Sequence, residues 1–315
     1  MRRPGNNSTL DPGFGTSKVG SRSMNKDGSF NVERIGRPRF RPFEIYHNLI
    51  KMSWTRFFIY VIGTYFIANL LFAFLYYLVG LEHLSIDTSG MSGIEKFLEA
   101  FFFSSQTLTT LGYGRVAPVG IPANTIAAIE SMTGLLGFAW ATGLTYGRFS
   151  KPQSKILYSD FALVSPYRGS TGLMFRITNM RSNQLIEVEA DVTVGYDSPE
   201  TGARSFIRLE LERNRINLFP TNWTIVHPIN EESIFWGRTE EQIRRMNLEI
   251  YVLLKAFDDT FSQTIYSRTS YTSEEIIFGA KFNSMFRQLE NGKTQLDLKS
   301  INSIEMIESN ERTVN

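Results

Sequence analysis

The chain has 315 residues, 42% hydrophobic and 20% charged, with a formal net charge of +2 and a mean hydropathy of -0.15. That length accommodates one small membrane unit and one soluble domain of ordinary size. With no cysteine in the sequence, disulfides, thiol catalysis and cysteine-ligated zinc or iron-sulfur centres are excluded.

Residues 1–34 are rich in Gly, Ser and Asn and are expected to form a disordered tail. Residues 35–56 read as an interfacial region, in which Phe43, Ile45, Tyr46, Leu49, Ile50 and Met52 mix with Glu44, His47 and Lys51. That pattern suits a short helix lying in the membrane interface plane. Residues 57–81 follow as 25 positions without a charge, where about 20 suffice to cross the hydrocarbon core. A second apolar run covers residues 121–146, with Glu130 as its only acidic or basic residue. Two buried helices of a soluble protein would be shorter and would carry a polar face, so both runs are expected to span. Residues 1–56 hold 11 Lys and Arg against 4 Asp and Glu. Residues 82–120 instead pair Lys96 and Arg115 with Glu82, Asp87, Glu95 and Glu99, and the second run exits into Arg148, Lys151 and Lys155. Both termini are therefore expected on the cytoplasmic side, with the first span an uncleaved anchor.

Between the spans, residues 94–108 carry Ile94, Phe97, Leu98, Phe101 and Phe102 at helical spacing but are too short to cross. Such a helix must re-enter, and irregular backbone at membrane depth is tolerated only beside protein or a water-filled pore. Thr110-Leu111-Gly112-Tyr113-Gly114 comes next. Two glycines in five residues permit dihedrals that aim successive carbonyls one way, and the helix C-terminus ahead favours a cation. The pentapeptide in this context predicts a potassium-selective filter, with K⁺ held at Thr110, Leu111, Gly112 and Tyr113 by carbonyls and the Thr110 hydroxyl. One chain supplies a quarter of such a cage, so a cyclic homotetramer is implied. In the second span, helical stepping from Tyr146 places Thr142, Phe138, Gly134 and Ser131 on one pore-lining face. Rings of Phe138 and Tyr146 would each constrict the pore and gate it by dewetting, with Gly134 and Gly143 as bending points. Arg37, Lys51, Arg56, Arg148 and Lys151 concentrate positive charge where anionic lipid head groups lie.

Beyond about residue 156 the character changes to alternating strand-like runs at 173–178, 185–196, 205–211, 223–228, 248–257 and 263–271. Turn signals at Asn179, Asp197-Ser198-Pro199, Asn214 and Asp258-Asp259 separate them, the spacing of a β-sandwich. A helical turn is expected over 239–246 and a late strand around Leu296, Leu298 and Ile301. The domain plan is thus a tail over 1–34, an interfacial region over 35–56, a pore domain over 57–150, a cytoplasmic sandwich over 151–308 and a tail over 309–315. No acid, base and nucleophile cluster is legible, so no enzyme is expected, and neither an organic cofactor nor nucleic acid is called for. There is no phosphate-binding loop and no Arg-rich span.

Several stretches carry a family likeness: Tyr46-His47-Asn48-Leu49 through Trp54, Phe101-Phe102-Phe103-Ser104, residues 109–114, Gly143-Leu144-Thr145-Tyr146-Gly147-Arg148-Phe149 with Pro152, His227-Pro228-Ile229, and Glu231-Glu232-Ser233. In these the chain resembles the inward-rectifier potassium channels, specifically the bacterial members, over nearly everything from about residue 35 to 308. The resemblance implies a multi-pass protein of the cell's inner membrane, an interfacial slide helix, a closed gate at Phe138 and Tyr146, and an immunoglobulin-like cytoplasmic domain. It matches Glu130 to a family glutamate close to the filter and sets Gln106 where the family carries a pore-helix glutamate, both as filter support. Arg115 stands where many bacterial members have an acid. Strongly rectifying relatives place an acid or polar residue where this chain has Phe138, so strong polyamine block from the transmembrane cavity is not expected. Glu187 and Asp258 are the vestibule acids the resemblance suggests for weaker block. The rival readings are a non-conducting, membrane-anchored binding or sensor module, suggested by Arg115 and Gln106, and a channel gated by a nucleotide-binding domain. The intact filter argues against the first, and the lack of alternating strand and helix units against the second.

Overall fold

The computed structural model describes residues 13, 22–33, 35–36, 42–150, 155–198 and 202–307. They form two compact units: a helical one within residues 37–151, and a second that joins the N-terminal segment through residue 36 to the chain from 152 onward.

The helical unit contains α1 (Pro42–Lys51), α2 (Trp54–Val79), α3 (Gly93–Leu108) and α4 (Gly120–Phe149). Helix α2 carries no charge beyond Arg56 in its first turn and stops at Gly80, whose φ of 104° a side chain would resist. Among the described residues it alone is both long and apolar enough to cross a membrane by composition. Helix α4 is longer, at 30 residues, about 45 Å at the helical rise. Gly, Ser, Thr and Asn dilute its apolar character relative to α2. Helix α3 starts in a capping box: Ser92 Oγ accepts from the Glu95 N–H (3.3 Å) while the Glu95 carboxylate accepts from the Ser92 N–H (2.7 Å). Its 16 residues reach about 24 Å, too little to cross. Phe72, Ala73 and Tyr76 of α2, Ala100, Phe103 and Leu108 of α3 and Ala123 of α4 form the common core. Outside it, Ile59, Ile62, Ile67 and Leu71 of α2 are each more than half exposed, an apolar surface of a size water does not tolerate on a soluble monomer.

The second unit is an all-β sandwich of immunoglobulin-like type. One sheet comprises β1 (Ile156–Tyr158), β2 (Ala162–Tyr167), β3 (Ser170–Asn179), β7 (Asn222–Ile229) and β10 (Ile276–Phe278). The other comprises β4 (Leu185–Asp197), β5 (Arg204–Arg208), β6 (Arg215–Leu218), β8 (Glu249–Asp258) and β9 (Gln263–Thr272). In each, the longest strand is central: β3 takes β1 and β2 along one edge and β7 along the other, and β4 takes β5 and β6 against β8. Alternate residues Leu173, Phe175 and Ile177 of β3 meet Val188, Ala190, Val192 and Val194 of β4 and Ile250, Val252 and Leu254 of β8 in the core. Two small ribbons, β11 (Ala280–Phe282) with β14 (Ile304–Met306) and β12 (Phe286–Gln288) with β13 (Thr294–Leu296), complete the strands. The helical turn, α5, is Glu240–Arg245.

Two expectations are corrected, and two strands are added. Residues 22–33 are not a disordered tail: Met24 and Ser23 are buried and the segment closes on itself through a Met24–Phe30 bridge and docks on the sandwich. Its composition is poor in apolar residues, but side chains of the sandwich satisfy its backbone. The late strand is present only as far as Leu296, in β13, whereas Leu298–Asn302 forms a 3-10 helix because Asp297 caps it through the Lys299 N–H. Strands β2 and β10 escape sequence patterning: β2 contains Pro166, and the short β10 pairs with β2 in parallel, a long-range pairing.

Candidate ion-conduction site

Helix α3 delivers the pentapeptide. Its C-cap is Thr109, and beyond it φ is positive at Thr110 (59°), Gly112 (54°) and Gly114 (79°), with Leu111 and Tyr113 outside that region. In an extended strand successive carbonyls alternate sides, whereas alternation of left- and right-handed residues turns them toward one side. A left-handed Thr110 costs energy that glycine would not, so its backbone is held by its surroundings. The Gln106 carbonyl accepts from the N–H groups of Leu111 (2.8 Å) and Gly112 (3.4 Å), and the Thr107 carbonyl from that of Thr110 (3.0 Å). Gln106 thus holds the segment through its main-chain carbonyl.

Behind α3 lies a buried polar cluster. Glu130 of α4 is fully buried and accepts hydrogen bonds from Tyr76 of α2 (2.7 Å) and Ser104 of α3 (2.5 Å). Ser104 also approaches the Asn69 carbonyl (3.2 Å), and the Tyr65 and Ser105 hydroxyls share a hydrogen bond of 2.6 Å. A buried carboxylate demands such donors, and here they tie three helices together. Glu130 is legible as an acid in an apolar run; Tyr76 and Asn69 carry no such signal, and Ser104 enters only within a family-like stretch, since one hydroxyl or amide in an apolar helix is unremarkable until its partner is placed. One helical turn on, the Cβ that Gly134 lacks would point at the Leu108 carbonyl, 2.8 Å from its carbon. Gly134 therefore turns toward α3, not into a pore, and its expected pore-lining role is corrected to close packing. Ser131 is half-buried beside Glu130, while Phe138 and Tyr146, each 74% exposed, and Thr142 lie on the uncovered face of α4. A Cβ at Gly143 would meet nothing within 4 Å.

Arg115 is paired: its guanidinium reaches Glu99 of α3 at 2.5 Å, from a largely exposed position. Of the residues assigned to lipid, Lys51 and Arg56 are exposed, and Arg37 and Lys151 lie outside the described residues. Arg148 is corrected. Its guanidinium donates to the carbonyls of Leu49, Ile50 (3.0 Å) and Met52 (2.6 Å) and stacks on Trp54 and Phe57 at 4.5 and 4.6 Å. A planar fork at the C-terminal end of α1 caps carbonyls that would otherwise lack donors.

In the sandwich, Asp258 is 1% exposed and accepts from Asn183, Thr260 and Phe261, so it closes the β8–β9 turn and is not a free vestibule acid. Glu187 sits in a β-bulge with φ 51° and pairs with Arg215 at 2.9 Å. His227 has both ring nitrogens engaged, by the Glu210 carbonyl (2.6 Å) and Ser233 Oγ (2.7 Å), and burial pulls it below its ordinary value. No cluster of metal-ligating side chains occurs among the described residues.

Comparison with known proteins places these parts. Residues 24–152 match the inward rectifier potassium channel transmembrane domain and residues 156–315 the inward rectifier potassium channel C-terminal domain. The inward rectifier potassium channel Kirbac3.1 of Paramagnetospirillum magnetotacticum is 36% identical over 287 residues, 90% of this chain and 95% of the relative. G protein-activated inward rectifier potassium channel 2 of Homo sapiens is 27% identical over 307 residues, 90% of this chain and 72% of the relative. G protein-activated inward rectifier potassium channel 3 of Mus musculus is 26% identical over 315 residues, 89% and 76% of the two chains. Two family domains cover both structural units in order, and the re-entrant helix delivers the expected pentapeptide: the chain belongs to the inward rectifier potassium channel family.

Proposed function

We propose that four copies of this chain surround an axis and form a K⁺-selective pore, in which the carbonyls of Thr110, Leu111, Gly112 and Tyr113 replace the ion's hydration shell. The observation that carries this reading is the alternation of positive φ through Thr110, Gly112 and Gly114, immediately after a helix whose C-terminal carbonyl end favours a cation. A single copy presents carbonyls from one side only, so the cage closes by symmetry. Pairing with Glu99 draws Arg115 charge away from K⁺ entering the mouth. Glu130, with Tyr76 and Ser104, supports the filter from behind. On the uncovered face of α4, rings of Phe138 and Tyr146 gate the path by dewetting, with Thr142 between them. Lys51 and Arg56 contact anionic lipid head groups at an inner membrane whose cytoplasmic face carries both termini.

The test is uptake of a potassium tracer into liposomes containing the purified protein, with Na⁺ as competitor, Ba²⁺ as blocker and anionic lipid varied. Uptake that Ba²⁺ stops and Na⁺ leaves untouched is expected. An intact tetramer that conducts under no lipid composition would favour the membrane-anchored binding module instead.

A further inference from the structure

Three side-chain sites in a band across one end of the second sheet converge on residues 22–24. The carboxylate of Glu249, 2% exposed, accepts from two consecutive main-chain amides, Ser23 N–H at 2.9 Å and Met24 N–H at 3.0 Å, one on each oxygen. The Met24 side chain, 5% exposed, packs on Phe206 and Tyr251. Arg22 spreads its fork over Glu275 (Nη1, 3.0 Å), the Ser270 carbonyl (Nη2, 2.8 Å) and Ser270 Oγ (Nε, 3.1 Å). The turn that follows fits because Gly28 has φ 78° and lies against the Arg268 carbonyl, where a Cβ would come within 2.6 Å.

A buried carboxylate without donors is costly. The sandwich gives Glu249 the Tyr251 hydroxyl at 2.9 Å and the buried Arg204 guanidinium as an ion-pair partner at 3.9 Å, while the segment contributes both main-chain amides. The sandwich thus presents a preformed acceptor that a peptide backbone completes. A subsite for a planar cation flanks it on one side and an apolar subsite on the other. We propose that this end of the sheet is a recognition site for a short peptide of the form Arg-Ser-Met, occupied in cis by residues 22–24, and that the N-terminal strap it holds is a detachable regulatory ligand.

The strap is bound by no covalent link to the sandwich, and eight residues, 34–41, separate it from α1. A ligand carried in the same chain as its site meets it intramolecularly, at an effective concentration that can reach roughly the millimolar range. A free peptide therefore competes poorly until the strap itself is weakened. Changes confined to the strap do this without touching the sandwich: Ser23→Pro deletes one amide donor and Met24→Asp opposes burial.

The experiment is hydrogen exchange by mass spectrometry on the full-length protein, with a synthetic peptide of residues 21–33 as probe. In the wild type, amides of 22–31 are expected to exchange at least tenfold more slowly than in the free peptide. In the Ser23→Pro protein that protection is lost, and added peptide restores protection at 268–275, whereas peptide carrying Met24→Asp does not. Wild-type amides that exchange as fast as the free peptide, or a Met24→Asp peptide that binds equally well, would overturn the recognition site. These readouts do not depend on conduction, so they stand or fall apart from the pore. Tracer flux reads the regulatory half: at least a twofold change in Ser23→Pro, reversed by the peptide, is expected, and unchanged flux refutes it.

Discussion

Substituting Gly134 by Ala tests whether the filter is positioned by close approach of two backbones. The added Cβ would lie 2.8 Å from the Leu108 carbonyl carbon and nearer still to its oxygen, where carbon atoms ordinarily settle at about 3.5–4.0 Å. The neighbour is main chain and cannot rotate away, so the end of α3 must move by about 1 Å relative to α4. Leu108 precedes Thr110 by two residues, and a ligand cage needs its donors held to about 0.5 Å. Overpacking of this kind costs about 1–3 kcal/mol, of which removing a glycine from a helix returns up to about 1 kcal/mol. Gly134→Ala is therefore expected to lower tracer K⁺ uptake at least tenfold while the tetramer persists on a native gel. Gly143→Ala, where a Cβ meets nothing within 4 Å in the protomer, should stay within about twofold of the wild type, since only helix propensity changes. Equal uptake and equal Na⁺ exclusion in Gly134→Ala and wild type would refute the positioning role.

Arg148→Lys keeps the charge but loses the fork that reaches three carbonyls of α1. It should destabilise the helical unit by about 1–3 kcal/mol in a thermal melt and leave binding to anionic vesicles unchanged, whereas Lys51→Gln with Arg56→Gln should weaken that binding. Arg176, 7% exposed, lies over the Phe282 ring with Nε and Nη1 unpartnered, and burial lowers it to about 10. Arg176→Met is therefore expected to be neutral or stabilising by up to a few kcal/mol, and a clear fall in the sandwich melting temperature would contradict this. Burial depresses His227 below its ordinary 6.5, so the unfolded chain binds the proton first as pH falls. Its contribution is complete above pH 6.5 and is lost as pH falls from there through the folded value. The urea midpoint should drop between about pH 7.5 and pH 5.5 more in the wild type than in His227→Gln, and equal drops would count against it.

The plan of the helical unit, and the pentapeptide proposed as the filter, could be read from the chain alone. Runs of charge-free residues, a helix too short to cross and two glycines in five positions are local signals, each imposed by the bilayer or by dihedral sterics. The long strands of the sandwich were legible for the same reason, because period-2 alternation marks a half-buried strand. Tertiary structure decided what depends on a distant partner. Strand β10 exists because β2 lies beside it, Gly134 faces α3 because Leu108 arrives there, and Arg148 serves α1 because the two meet across nearly a hundred residues of chain. Residues 22–33 read as polar and structureless, yet they fold because Glu249 supplies an acceptor and Phe206 and Tyr251 a surface. A segment too poor in apolar residues to order itself is ordered by groups it does not contain.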